Sequence, residues 1–169
     1  NTNWDQSPDL DGDGIDNSGV QHFAAPFRRC QGTRHSAVKD GLDQTIFVAE
    51  VRQATSIDVR GAYVTSLPGG TGYMSRFTPN GNVDIYGLTP SIGVTSGDQT
   101  ATGCHSEPGM PCFQVLIPFT AFAGTRSQHH GGVFALFGSG RVKFAANSVN
   151  HSVWLSLHGI KDGNVQNGE

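Results

Sequence analysis

The sequence predicts an α+β fold that is mainly β, with long loops and one short C-terminal helix. Three observations point there. Gly supplies 23 of the 169 residues, nearly double the usual ~7%, and glycine weakens helix interiors. The apolar runs are short, rich in β-branched and aromatic residues, and bounded by turn formers. Only one stretch near the end sets apolar residues at helical spacing. A mass of 17.9 kDa fits one domain and leaves no room for two ordinary ones.

Residues 1–35 are polar and broken by turn formers, with Val20, Phe23 and Phe27 as candidate anchors. The first strand is expected over Thr45–Val51, started by the Asp40-Gly41 turn. A second is expected over Val59–Val64, ended by Pro68-Gly69-Gly70. Val83–Tyr86 follows the Asn80-Gly81 turn as a short strand. Leu88 to Pro111 reads as a long Ser-, Thr-, Gly- and Pro-rich surface loop, with room for a strand at Ile92–Thr95. Phe113–Ile117 is a strand closed by Pro118. The strongest hairpin is Val133–Phe137, the Gly138-Ser139-Gly140 turn, and Arg141–Phe144. Its first arm is apolar on both faces, so a central strand is expected. Its second alternates, predicting Arg141 and Lys143 outward with Val142 and Phe144 inward. Ser148 is the expected N-cap of a helix in which Val149, Val153 and Leu157 line one face beside Trp154. Gly159 stands where that helix should end.

Charged residues are only 15% of the chain, against roughly 25% in an average domain. The net charge of −3 argues against a nucleic-acid binder, which needs a basic surface. No apolar run approaches the ~18 residues of a membrane span. No basic-then-apolar leader opens the sequence, so any targeting segment is expected to be absent or removed. The charge is also uneven. Residues 1–20 hold five acids and no base, leaving 9 acids and 11 bases in the rest. The expected organisation is an acidic arm over 1–20 and one β-rich body over 21–169.

The arm holds the sharpest local signal, Asp9-Leu10-Asp11-Gly12-Asp13-Gly14-Ile15-Asp16. Calcium takes six to eight hard oxygens, and a tightly curled loop is needed to deliver them. Asp9, Asp11 and Asp13 alternate so that their carboxylates converge, and Gly14 permits the turn. The Ile15 carbonyl adds a backbone oxygen. The start matches an EF-hand loop, but its twelfth position is Val20 rather than Glu, so Asp16 is assigned the closing ligand. Four carboxylates in eight residues repel one another unless a cation neutralises them. Calcium is therefore the expected cofactor, with a solvated acidic turn as the alternative.

Cys104 and Cys112 flank a loop with two prolines and a glycine, which could bring their ends together. A disulfide there would pin the loop in an oxidising compartment, and buried free thiols are the alternative. Cys30 is left over. No zinc spacing, no H-E-x-x-H, no G-x-S-x-G elbow and no phosphate loop is present. The seven histidines, including the His129-His130 pair before Gly131-Gly132, are expected to be hydrogen-bonding structural residues. Asn150-His151-Ser152 is a formal glycosylation sequon on the predicted helix.

The stretch Arg126-Ser-Gln-His129-His130-Gly131-Gly132 through Phe144, with Asn147-Ser148-Val149 and Val153-Trp154, resembles the C-terminal signature of the prepilin-type H-x9-DG proteins. His129 takes the His position, and Ser139-Gly140 takes the Asp-Gly position. Upstream, Val38–Arg52 and Arg60-Gly61-Ala62-Tyr63 resemble further segments of that family. Cys104 and Met110-Pro111-Cys112 resemble its cysteine pair. The resemblance implies an antiparallel, pilin-like sheet and a secreted, non-enzymatic structural protein. The family's long hydrophobic N-terminal helix is absent from this sequence.

The expected function is therefore a structural subunit of an extracellular filament or cell-surface assembly, stabilised by calcium, with other copies of itself as partner. A secreted calcium-dependent binding module is the alternative. It would present Trp4, Tyr73 and Tyr86 to a carbohydrate or another surface. A hydrolase has the least support from the residues.

Overall fold

The computed structural model describes residues 25–27, 32–55, 58, 60–62, 72–81, 83–87, 105–115 and 121–161. Their order is a short 3-10 turn at His35–Ala37, β1 (Ile46–Ala49), β2 (Asp84–Gly87), β3 (Cys112–Val115), β4 (Ala121–Phe122), β5 (Gly132–Phe137), β6 (Val142–Ala146) and α1 (His151–Ser156). The fold is α+β and mainly β, as the sequence predicts. The strands form two three-stranded sheets, ordered β1-β5-β6 and β3-β2-β4.

The first sheet is antiparallel throughout. β5 is its central strand, as expected for a run that is apolar on both faces. Its register sets Phe134 opposite Phe144 and Leu136 opposite Val142 on one face, with Val133 opposite Ala145 and Ala135 opposite Lys143 on the other. The hairpin turn holds Gly140 at φ +89, a conformation that costs glycine nothing because it lacks a Cβ. The second sheet is mixed, because β2 runs parallel to β3 and antiparallel to β4.

The core lies on the Val133/Ala135/Phe137 face, where Ile46, Ala49, Tyr73 and Trp154 join those residues. Trp154 brings α1 onto this face, and Val149 and Leu157 pack beside it. The Ile46 N–H donates to the Leu157 carbonyl at 2.7 Å, tying the end of the helical segment to β1. The N-cap is Asn150 rather than Ser148: its Oδ1 accepts the N–H groups of Ser152 and Val153. The helix starts two residues later than the Val149 periodicity suggests, because Asn150 can satisfy two of the orphan first-turn donors at once.

Two strand expectations are corrected. Of Val59–Val64, the described residues are 60–62, and Arg60 and Gly61 form a turn. Gly61 has φ +73, and a Cβ there would meet the Gln53 backbone, so the chain folds tightly back on itself. At β6, Arg141 and Lys143 are exposed as expected, but Val142 and Phe144 do not point inward. Val142 and Phe144 are 58% and 47% exposed, whereas Lys143 lies over the Phe137 ring at the margin of the core face. α1 covers only one face of the sheet, and register places the β6 apolar pair on the other. The short β4 was not anticipated. The proposed strand at Ile92–Thr95 lies outside the described residues.

Candidate functional site

The segment that carries the family-like signature folds into a clasp between β1 and β5. Glu50, just beyond β1, donates its backbone N–H to the Phe134 carbonyl at 3.1 Å. Its carboxylate divides its two oxygens. Oε2 accepts the Phe134 N–H at 2.8 Å, and Oε1 accepts His129 Nε2–H at 3.1 Å. The His129 ring stands edge-on to Phe134, with centroids 5.0 Å apart. Behind it, Ser127 Oγ donates to the Gly132 carbonyl and accepts the His129 N–H. Asn80 accepts the Ser127 N–H and donates to Asn147 at 2.9 Å. Gly131 turns the chain at φ +88. Gly132 admits no side chain, since a Cβ there would press on the Phe144 ring at 2.8 Å and on the Ala145 carbonyl. His129, Gly131 and Gly132 thus fix the entry to β5, while Ser139 and Gly140 form the turn at its far end.

The clasp borders an uncovered apolar face. Val48, Phe134, Val142 and Phe144 are 49%, 42%, 58% and 47% exposed, and Leu136 is half-buried among them. Cross-strand register places all five on one side of the sheet. Phe134 and Phe144 meet edge-to-face at 5.3 Å. Single exposed hydrophobics need no explanation, but a contiguous cross-strand set marks a surface that binds something. Among the described residues β6 pairs only with β5, and no described strand covers its outer edge.

A buried ionic cluster ties the start of β2 to residues 58 and 60 and to residues 124–126. Asp84, at the start of β2, accepts Arg126 Nε–H and Nη2–H at 3.0 and 2.9 Å, Arg60 Nη1–H at 2.9 Å, and the Gly124 N–H at 3.0 Å. Asp58 accepts Arg60 through Nε and Nη2, and also the His105 N–H at 2.7 Å. All four side chains are buried. Among the described residues the cluster holds two acids and two bases, a balance that helps to tolerate its burial. Burial alone would raise the Asp58 pKa, but hydrogen bonds from the Arg60 side chain and from the Arg60 and His105 backbones pull it below the usual range. Burial likewise opposes the charge on Arg60, and Asp58 and Asp84 more than offset it. The sequence marks Arg60 and Arg126 only as family-like positions and does not mark Asp58 or Asp84. Nothing local marks them, because the four are brought together from three separate segments.

A second buried group sits under the helix. The Trp154 carbonyl can only accept, so His158 Nδ1 carries the proton and donates to it at 2.7 Å. Nε2 is then the acceptor for the Tyr73 hydroxyl at 3.0 Å. Burial holds the imidazole neutral and pushes its pKa down to about 3. Burial also raises the Tyr73 phenol. Tyr73 is 3% exposed, which corrects its assignment as a presented aromatic.

Asp9, Asp11, Asp13, Ile15 and Asp16, with Trp4, lie outside the described residues, as does the Tyr86 side chain. Among the described residues no cluster of His, Cys, Asp and Glu could hold a metal, and no helix is long and apolar enough to cross a membrane. Cys112 is disulfide-bonded, while Cys30 and Cys104 are both outside the described residues.

Compared with known proteins, the chain matches the family model described as a protein of unknown function, DUF1559, over residues 2–152, and it belongs to that family. No curated protein and no solved structure matches it.

Proposed function

We propose that this DUF1559 chain is a non-enzymatic structural subunit of an extracellular filament or surface assembly, pilin- or pseudopilin-like, built from copies of itself and stabilised by calcium at Asp9, Asp11, Asp13 and Asp16. The observation that carries the reading is the open face of Val48, Phe134, Leu136, Val142 and Phe144 beside a β6 edge that no described strand pairs with. Such a surface suits a chain that functions against a neighbour. The resemblance to H-x9-DG proteins supports the same reading. His129 and the Ser139-Gly140 turn brace the two ends of the strand that carries Phe134 and Leu136, so the signature maintains the sheet. The carbohydrate-binding alternative loses Tyr73 to the core. Negative-stain microscopy of the purified protein in calcium tests the reading. Filaments or lattices are expected, and single particles at every concentration would overturn it.

A further inference from the structure

Resting on that subunit reading, we propose that the open edge of β6 receives residues 2–6 of a second copy as an added antiparallel strand. Successive side chains of a strand point to opposite faces. β6 therefore offers two different chemistries along its edge. Val142 and Phe144 stand on the open apolar face, and Lys143 stands on the other, over Phe137. A complementary strand needs a large apolar residue followed directly by an acid, and Trp4-Asp5 is such a pair.

In antiparallel register, Trp4 opposite Phe144 places Asp5 opposite Lys143, Gln6 opposite Val142, and Thr2 opposite Ala146. The five residues match β6 end to end before Pro8, which lacks the N–H to continue a ladder. Trp4 then joins the Phe134–Phe144 aromatic pair, and Asp5 faces Lys143 at the margin of the core face. The edge is cationic through Lys143 and, at the hairpin turn, Arg141. Pairing β6 with another β6 would crowd those cations into one strip, which disfavours a two-fold contact. The segment over residues 1–20, with five acids and no base, has the opposite sign.

The geometry also favours a neighbour as donor. Phe27 meets Phe47 of β1 edge-to-face at 5.8 Å, which places Phe27 beside β1. β1 and β6 are the two opposite margins of the sheet. A subunit that gives a strand at one margin and receives one at the other makes a heterologous contact, and such contacts propagate unless they close into a ring.

The test uses the whole chain, mixed in equal parts with an isotopically heavy copy, joined by a zero-length carbodiimide and mapped by mass spectrometry. An Asp5–Lys143 linkage between light and heavy copies is the expected result. Sedimentation should show Asp5→Lys weakening self-association by up to about fivefold, with Lys143→Asp in the same chain restoring it. An Asp5–Lys143 linkage found only within single copies would overturn the neighbour as donor. Assemblies that form without the linkage, or that are unchanged by Trp4→Asp, would overturn the inference and leave the subunit reading standing. A protein that never associates would overturn both.

Discussion

Replacing Asp84 by asparagine removes a carboxylate on which two buried guanidiniums converge. Four donors reach it: two from Arg126, one from Arg60 and the Gly124 N–H. The amide keeps one acceptor oxygen and turns a donor toward cations that cannot accept. It also changes the cluster from neutral to a net positive charge, with both bases still buried. Breaking a buried ion pair from one side costs about 3–5 kcal/mol, a large share of the ~5–15 kcal/mol that holds a domain folded. Urea unfolding followed by tryptophan fluorescence reads this directly, since Trp154 lies in the core. The companion variant is Arg126→Met, which leaves the cluster with a net negative charge. Combining the two returns it to neutrality, with Asp58 and Arg60 still paired through Nε and Nη2. The double variant should therefore be more stable than the sum of the single losses predicts, by about 1–3 kcal/mol. Additive losses, or an Asp84→Asn cost under about 1 kcal/mol, would refute the description of these residues as one coupled, charge-balanced unit.

The pH dependence has a definite sign. His158 has its folded pKa depressed to about 3, below the ordinary 6.5, so its contribution is complete above 6.5 and is lost as pH falls toward 3. Stability should drop by about 1.4 kcal/mol per pH unit in that window from this group, and His158→Gln should flatten the slope while lowering stability at neutral pH. Gly132→Ala should cost about 1–3 kcal/mol by forcing β6 away from β5, seen as a lower urea midpoint with an unchanged slope. Calcium should raise the melting temperature, and Asp11→Asn with Asp13→Asn should abolish the increase; equal melting in calcium and chelator would leave a solvated acidic turn. Peptide mapping without reduction should find Cys104 bonded to Cys112 and Cys30 apart from both, and a Cys30–Cys112 peptide would overturn that pairing.

Local patterns were legible where local forces decide. β5 is identified by an apolar run too continuous for a surface strand, and its turn by glycines that tolerate positive φ. The helix follows from spacing and a capping side chain, with Asn150 competing better than Ser148. What failed depends on distant partners. The exposure of Arg141 and Lys143 was correct, but no sequence pattern says which face the helix will cover. Asp58 and Asp84 look like ordinary turn and strand-end acids until Arg60 and Arg126 arrive from elsewhere in the fold. Tyr73 lies on a polar stretch, and only the acceptor nitrogen of His158, 85 residues away, makes its burial tolerable.

Ser139 sits in the hairpin turn at the far end of β5 from Glu50. If an acid at that position were needed to hold the turn, a serine there should leave the hairpin loosely bound. Instead the backbone supplies the restraints. The Ser139 N–H donates to the Leu42 carbonyl at 3.1 Å, the Gly138 N–H to Thr45 at 2.9 Å, and the Gly140 N–H to Phe137 at 2.9 Å. Arg141 Nη2–H reaches the Asp43 carbonyl at 2.6 Å and closes the same corner against the segment before β1. None of these bonds uses the side chain at 139. The carboxylate that does brace this sheet is Glu50, at the opposite end of β5, where it ties His129 and the Phe134 N–H together. Glu50→Gln should therefore destabilise the sheet by about 1–2 kcal/mol, because a charge-assisted bond becomes a neutral one. Ser139→Asp, in contrast, should change stability by less than about 0.5 kcal/mol, as exposed substitutions without buried partners do. Urea midpoints measured side by side decide it: a larger effect at Ser139 than at Glu50 would mean that the turn, and not the clasp, holds the sheet.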